Sequence, residues 1–481
     1  MQNEGAAISG AFSTTSVSPA VQEVPVSAND TPAADSPGPL TAVAIAAAVR
    51  DGAARPEGIV EAALERIGLG DPKINAFSLV RTERALAEAH ALADRPDLDA
   101  LPLAGVPIAV KNNIDVAGEV TRGGSLAGPD RPAAADHPVV RRLRQAGAVV
   151  VGLTELTELG LFGTTDTPER ITRSPWNIRY SAGGSSGGSG AAVGAGLVPV
   201  AHGNDGLGSI RIPAAACGVV GIKPGRSVVP SEVGLDSWGG MIENGVLATT
   251  VADAALVLSV LADQPALADL EPASGLRIAL AAGSPSPLIR VDGQWAGAAA
   301  LAAASAAAAG HTVRQAPLPY AGATVALALR WVANAAREAD ATAHPELLQR
   351  RTRTHVAIGR AVLRAGLIRP GQVDRIEARL LDYFDQHDVV ITPTLAGPPP
   401  RAVAWHRTGW LPNALVSAGY SPFTPLWNLV GWPAISVPMG IHPRTGTPLA
   451  AQLAGPPRSE STLLRLAAQL ESARPWRRTA P

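Results

Sequence analysis

The sequence is poor in the residues that make crosslinks and metal cages. It has one cysteine, Cys217, and nine histidines spread along 481 residues. A single thiol excludes an internal disulfide framework and any multi-cysteine metal site, and it fits a reducing, cytoplasmic compartment. Cys217 itself reads as a small buried apolar residue. The histidines show no HExxH and no paired spacing, so no zinc site is expected. Charge is scarce as well: 17% of residues are charged and the formal net charge is −1. Without a basic excess, a nucleic-acid partner is not expected. No run approaches eighteen apolar residues, so neither is a membrane span. The first 38 residues contain no Lys or Arg. That removes the basic start of a secretory peptide and the arginines of a mitochondrial one. Rich in Ala, Ser, Thr and Pro, this stretch reads as a disordered tail.

Two nucleophile-and-phosphate signatures are missing too. "GGSSGGSG" (Gly183–Gly190) has the look of a phosphate cradle, but Gly190 is followed by Ala191 where a P-loop needs lysine. There is no GxSxG elbow for a Ser–His–Asp site. His202 lies seven residues before Ser209 with Asp205 between them, a spacing that does not carry the imidazole onto the hydroxyl. His202 therefore reads as a packed or hydrogen-bonded residue.

What the chain does have is apolar content, 46% of residues, which suffices for a large core. From Leu40 onward the pattern alternates between helices and short apolar runs. "LTAVAIAAAVRDG" and "PEGIVEAALERIG" read as helices, the second opened by Pro56. Val106–Val110, "AVVVGL", "LRIALAAG", "DVVITPT" and "AISVPMG" read as central strands. Asp136 is placed to cap the helix through "HPVVRRLRQAG". Thr250 and Asp253 form a capping-box pattern, Trp295–Ala309 and "ESTLLRLAAQLESA" are helical, and "GGSSGGSG" opens a helix at Ala191. The alternation predicts one α/β domain over residues 39–481, with a mixed central sheet sandwiched between helices.

The Gly–Ser clusters Gly183–Gly190 and Gly203–Ser209 sit inside this otherwise apolar chain. Small hydroxyls on a permissive backbone suit a serine nucleophile activated by lysine. Such a lysine acts as a base only when neutral, so it has to be desolvated. Its pKa has to fall roughly three units from about 10.4. Lys111 ends the apolar strand "GVPIAVK" and Lys223 ends "GVVGIKPG". Either could serve, although each taken alone reads more readily as a surface ammonium ending a strand.

Taken together, "GVPIAVKNNIDVAG", "GGSSGGSGAAVGAGLVPVAHGNDGLGSIRIPAAACGVVGIKP" and "NLVGWPAISVPMG" resemble the amidase signature family, over about Leu40 to the C-terminus. The resemblance implies hydrolysis of a carboxamide through a seryl acyl-enzyme, with a Ser–cis-Ser–Lys triad. It implies Ser209 as nucleophile, Ser185 as bridging serine behind a cis bond to Gly184, and Lys111 as base, which leaves Lys223 structural. Gly206, Leu207, Gly208 and Ser209 would then present N–H groups to the oxyanion. The sequence departs from the family pattern at Leu207, usually Gly, and at Asn204, usually Thr. Asp205 and Arg211 are expected to form a buried pair holding the nucleophile loop, with Ser186 hydrogen-bonding nearby or capping the following helix.

"LGLFGTTD" and "SWGGMIENG" are expected to line the pocket. Phe162, Gly163 and Thr164 are the substrate-binding candidates, and Trp238 and Met241 suggest an apolar acyl pocket, with Trp410 and Trp427 undecided between pocket and core. The expected partner is a small-molecule amide, apolar or aryl, without cofactor, and a homodimer stays open. Two alternatives are a glutamine-hydrolysing subunit of a tRNA-dependent amidotransferase and a non-catalytic binding protein on the same fold.

Overall fold

Runs such as Pro107–Lys111, Val149–Thr154 and Val389–Pro393 are buried along their whole length. A strand that is buried on both faces needs cover on both faces, which helices packed above and below a sheet supply. The computed structural model describes residues 41–481, so the expectation for the 1–38 tail lies outside the described residues. It contains one 11-stranded sheet built from β1 (Phe77–Val80), β2 (Pro107–Lys111), β3 (Val149–Thr154), β4 (Val200–Asp205), β5 (Val220–Lys223), β6 (Glu243–Ala248), β7 (Arg277–Leu280), β8 (Thr312–Gln315), β9 (Val389–Pro393), β10 (Ala434–Ile441) and β11 (Pro448–Ala454). The spatial order is β1-β3-β2-β4-β6-β5-β10-β11-β9-β7-β8. The sheet is mixed: β2 is parallel to β3 and β4, and β7 to β8 and β9, whereas β4–β6–β5–β10–β11–β9 are antiparallel neighbours. The α/β sandwich expected from the sequence is the observed one.

Strand alternation sorts the core into two layers. Ile108, Val110, Val150 and Val246 face one cluster with the helices Val251–Ala262, Gly293–Ala308 and Glu460–Ala473. Ala109, Val151, Ala201 and Leu247 face the other, against the helices Gly187–Gly194 and Arg211–Cys217. On that second face the central positions of β2 and β4 are alanines, so the covering helices come close. The helices packed there are built mostly of small residues, GGSGAAVG and RIPAAAC. At Gly188 an added Cβ would strike the Ala76 carbonyl and lie 2.5 Å from the Glu155 nitrogen. The cost of glycine in a helix, about 1 kcal/mol each, is offset by this tertiary packing.

Four local expectations change. The helix after the first Gly–Ser cluster begins at Gly187, not Ala191, because burial of the whole segment overrides glycine's poor propensity. His137, not Asp136, caps the helix Pro138–Gln145, accepting from the Val139 N–H, because Asp136 is taken up by the Ala117 N–H at 2.8 Å. Thr250 accepts from the Asp253 N–H as the box requires, but the Asp253 carboxylate turns to the Val43 N–H at 3.0 Å and pins the helix Ala42–Arg50. The run read as a central strand at "LRIALAAG" is β7, one strand in from the sheet edge, between β9 and the exposed edge strand β8.

Gly188→Ala should therefore lower stability by about 1–3 kcal/mol through overpacking against backbone that cannot turn aside. A thermal melt monitored by circular dichroism checks this. An unchanged midpoint would show that the helix is free to shift away from the sheet.

Candidate active site

The parallel register of β2 and β4 pairs Ile108 with Val200 and Ala109 with Ala201. Both strands therefore end at the same sheet edge, and Lys111 arrives beside Asn204. Lys111 has no solvent exposure. Its Nζ donates to Asn204 Oδ1 at 2.7 Å, lies 3.4 Å from the Asn204 carbonyl oxygen, and is 2.8 Å from Ser185 Oγ. Burial pushes its pKa down to about 7, against the opposing pull of Asp205.

Ser185 is delivered by the turn before the helix Gly187–Gly194, and the Gly184–Ser185 peptide is cis. The next residue stitches this turn to the second Gly–Ser cluster. The Ser186 N–H donates to the Ser209 carbonyl at 3.1 Å, and Ser186 Oγ donates to the Asn204 carbonyl at 3.1 Å. Ser186 makes no side-chain cap bond, so of its two expected roles it takes the first. Ser185 is buried and Ser209 half-buried. Both line one cavity of about 670 Å³, with Lys111 behind Ser185. No hydrogen bond joins the two serine hydroxyls among the described residues.

The loop that carries Ser209 is tied down by one ion pair. Arg211 and Asp205 have no exposed side-chain surface and meet at 2.9 Å. The Asp205 carboxylate also accepts the N–H groups of Gly208 (2.6 Å) and Ile210 (3.2 Å). Burial alone would raise this carboxyl, but the charge and hydrogen bonds of Arg211 prevail and hold it well below the usual carboxylate range. Gly208 therefore departs from expectation: its N–H is already donated to Asp205. Its glycine is needed for space and conformation, with φ +122° and a would-be Cβ on the Thr424 hydroxyl. The N–H groups of Gly206, Leu207 and Ser209 donate to no other group among the described residues.

Phe162 and Gly163 line the cavity as expected, but Thr164 does not. It is buried behind the loop with its hydroxyl on Asp166 Oδ1 at 3.3 Å. Trp238 lines the cavity, whereas Met241 packs in the core and Trp427 meets Phe384 edge-on without lining the cavity. Phe162 is held by Arg351, whose guanidinium sits 4.9 Å above its ring and 3.1 Å from Asp166 Oδ1. An edge-on Trp331 completes this wall, backed by His355, on which Trp410 donates a 2.8 Å hydrogen bond. Burial lowers the His355 pKa to about 4 and keeps the ring neutral. The sequence reading missed Trp331, His355 and Asn113. The first two stand on helices without any motif, and only the exceptional Trp in an Ala-rich helix hinted at a wall.

The rival residues lie elsewhere. Lys223 is also fully buried, but its Nζ donates to the Pro224 carbonyl at 2.6 Å and meets no serine among the described residues. Burial pushes it down to about 8. His202 is buried, bonded to Asn244 at 3.0 Å, and pushed down to about 3 by burial. Cys217 is buried and its thiol pKa raised for the same reason. Among the described residues no helix is long and apolar enough to cross a membrane.

Comparison with known proteins places this geometry in context. The Amidase family model matches residues 58–464. The chain is 42% identical over 453 residues to "Putative amidase AmiB2" of Mycobacterium tuberculosis, covering 92% of this chain and 97% of that one. It superposes on a 6-aminohexanoate cyclic dimer hydrolase with TM-score 0.79 at 29% identity, covering 91% of this chain and 97% of the other. It is similar to a bacterial aryl acylamidase with TM-score 0.78 at 25% identity, covering 91% and 96%.

Removing one member of the buried pair leaves the other charge unpaired. Arg211→Met should cost about 3–5 kcal/mol. The depressed Asp205 pKa makes its share of stability present above the unfolded carboxyl pKa and lost as pH falls below it. Urea unfolding of wild type and variant at pH 7 and in acid checks both points, and the gap between them should narrow in acid.

Proposed function

Since the chain belongs to the amidase signature family and is a hydrolase of linear amide C–N bonds, we propose that Ser209 is its nucleophile, Ser185 its proton relay and Lys111 its base. The observation that carries this reading is the fully buried Lys111 with its Nζ 2.8 Å from Ser185 Oγ. A lysine whose pKa is about 7 is half free base at neutral pH, which suits it to the role. Ser209 Oγ attacks the amide carbon as its proton passes to Ser185 and the Ser185 proton passes to Lys111. The relay requires the two hydroxyls to close up as substrate binds, and catalytic hydrogen bonds often tighten only in that complex. The oxyanion takes the N–H groups of Gly206, Leu207 and Ser209. The C–N bond then breaks, the amine leaves with the proton returned from Lys111, and water releases the acyl group from Ser209 by the same route.

The cavity favours an apolar or aryl amide. Phe162, Trp238, Trp331, Ile242 and Leu207 form much of its wall, and 670 Å³ exceeds what acetamide needs. The similarity to an aryl acylamidase points the same way. A glutamine-hydrolysing subunit is not favoured. We read the enzyme as free-standing, acting on a small molecule in the cytoplasm.

Ser209→Ala should abolish both amide hydrolysis and labelling by a fluorophosphonate; labelling that persisted elsewhere with activity intact would remove Ser209 from the mechanism. Lys111→Ala should lower kcat by about 10²–10⁴-fold, and Lys223→Ala should lower stability instead. Because only neutral Lys111 accepts a proton, kcat/KM should rise with pH through about 7 and level off above it.

Leu207 lines the cavity at a position where the family pattern has glycine. Leu207→Gly should raise the kcat/KM ratio of a bulky amide over propionamide. A ratio left unchanged while both rates drop would mean the side chain does not touch the acyl group.

A further inference from the structure

Asn204 stands where the amidase signature pattern has threonine, and its side chain is buried directly beneath Lys111. A neutral amine has two N–H bonds and one lone pair. Three oxygens surround Lys111 Nζ: Asn204 Oδ1 at 2.7 Å, the Asn204 carbonyl at 3.4 Å and Ser185 Oγ at 2.8 Å. Both Asn204 oxygens can only accept, so they claim the two N–H bonds. The remaining direction, that of the lone pair, meets the serine hydroxyl. We infer that Asn204 is a positioning residue that turns the free lone pair of Lys111 onto Ser185, and that Asn113 holds it in place.

Asn113 makes a reciprocal pair with Asn204. The Asn204 Nδ2 donates to Asn113 Oδ1 at 2.8 Å, and Asn113 Nδ2 donates back to Asn204 Oδ1 at 3.2 Å. This fixes the amide plane and keeps its oxygen toward the lysine. Ser186 adds a second anchor by donating to the Asn204 carbonyl at 3.1 Å. An amide is a neutral acceptor, so it orients the amine without the charge that would keep it protonated. The charged and titratable groups near Lys111 are Asp205, whose charge is committed to Arg211, and His202, which burial holds neutral. The inference rests on the reading of Lys111 as base, and its test separates the two.

The probe is a fluorophosphonate, which needs no knowledge of the natural amide. Its P–F bond breaks as the Ser209 O–P bond forms; fluoride leaves and the serine proton passes by the relay to Lys111. The second-order labelling rate is measured from pH 5 to 10 for wild type and for Asn204→Asp, Asn204→Leu and Asn204→Thr, each first checked for folding by circular dichroism. A carboxylate against Nζ favours the ammonium form, so Asn204→Asp should move the rising limb up by about one pH unit or more. The rate at pH 7 should fall about tenfold and recover in alkali. Asn204→Leu removes an acceptor without adding charge, and should lose at least about tenfold at every pH with no recovery. Asn204→Thr restores a hydroxyl acceptor and should regain most of that loss. Limbs and rates that coincide with wild type in the Asp and Leu variants, while Lys111→Ala stops labelling, would overturn the inference and leave Lys111 as base. Should the Leu variant not fold, coincident limbs in the Asp and Thr variants overturn it alone. Unchanged labelling in Lys111→Ala would instead overturn the reading of the base itself.

Discussion

The buried Asp205–Arg211 pair is the constraint through which the distant parts of this chain meet. Arg211 donates to Asp205, to the Thr424 carbonyl, to Gln452 Oε1 and to Asn428 Oδ1, so it joins the end of β4 to two segments, 424–428 and β11, more than two hundred residues away in sequence. Asn428 Nδ2 donates in turn to the Asp205 carboxylate and carbonyl. Every donor and acceptor of the pair is used. That satisfaction is what makes two buried charges tolerable, since either one alone would carry a desolvation penalty of several kcal/mol. The outcome for the site is a Ser209 loop whose backbone is fixed from below. Its outward N–H groups are left for other partners.

The same low-dielectric interior that makes the ion pair demanding makes Lys111 useful. Burial disfavours the ammonium, and the nearest negative charge, Asp205, is largely spent on Arg211. Lys223 shows what the alternative looks like. It is equally buried and also shifted downward, yet its neighbours are a backbone carbonyl and the carboxylates of Glu243 and Glu460 rather than a hydroxyl. Desolvation by itself creates a neutral lysine; only a hydroxyl within hydrogen-bond reach gives that neutrality chemical meaning.

The cavity wall depends on a second buried charge. Arg351 is held by Asp166 and Asn413 and lies over the Phe162 ring, so the loop after β3 and the helices 350–364 and 410–420 are tied into one wall. Such a cation–ring contact contributes about 0.5–2 kcal/mol. It also explains why Thr164 faces inward while Phe162 and Gly163 face the cavity: Asp166 draws the Thr164 hydroxyl and the Arg351 guanidinium to the same side of the loop.

Much of this was legible in the amino-acid order alone. The apolar runs of β2, β3 and β9 announced a covered sheet because their composition leaves no face for water. The Gly–Ser clusters and their family resemblance pointed to Lys111, Ser185 and Ser209 because those residues lie within or beside contiguous stretches. Cap geometry was only half legible: Thr250 capped as its pattern suggested, while Asp136 and Asp253 went to the distant N–H groups of Ala117 and Val43. Gly208, expected as an oxyanion donor, gives its N–H to Asp205 in the folded chain, a partner its sequence position did not show. The residue pattern by itself left two strand-end lysines open and the resemblance pointed to Lys111; the tertiary structure adds that both are buried and that Lys111, unlike Lys223, has a serine hydroxyl beside it. Tertiary structure alone brought Asn113, Asn204, Trp331 and His355 to one site. Contacts between residues far apart in sequence are set by strand register and helix packing, and a linear pattern holds no distances.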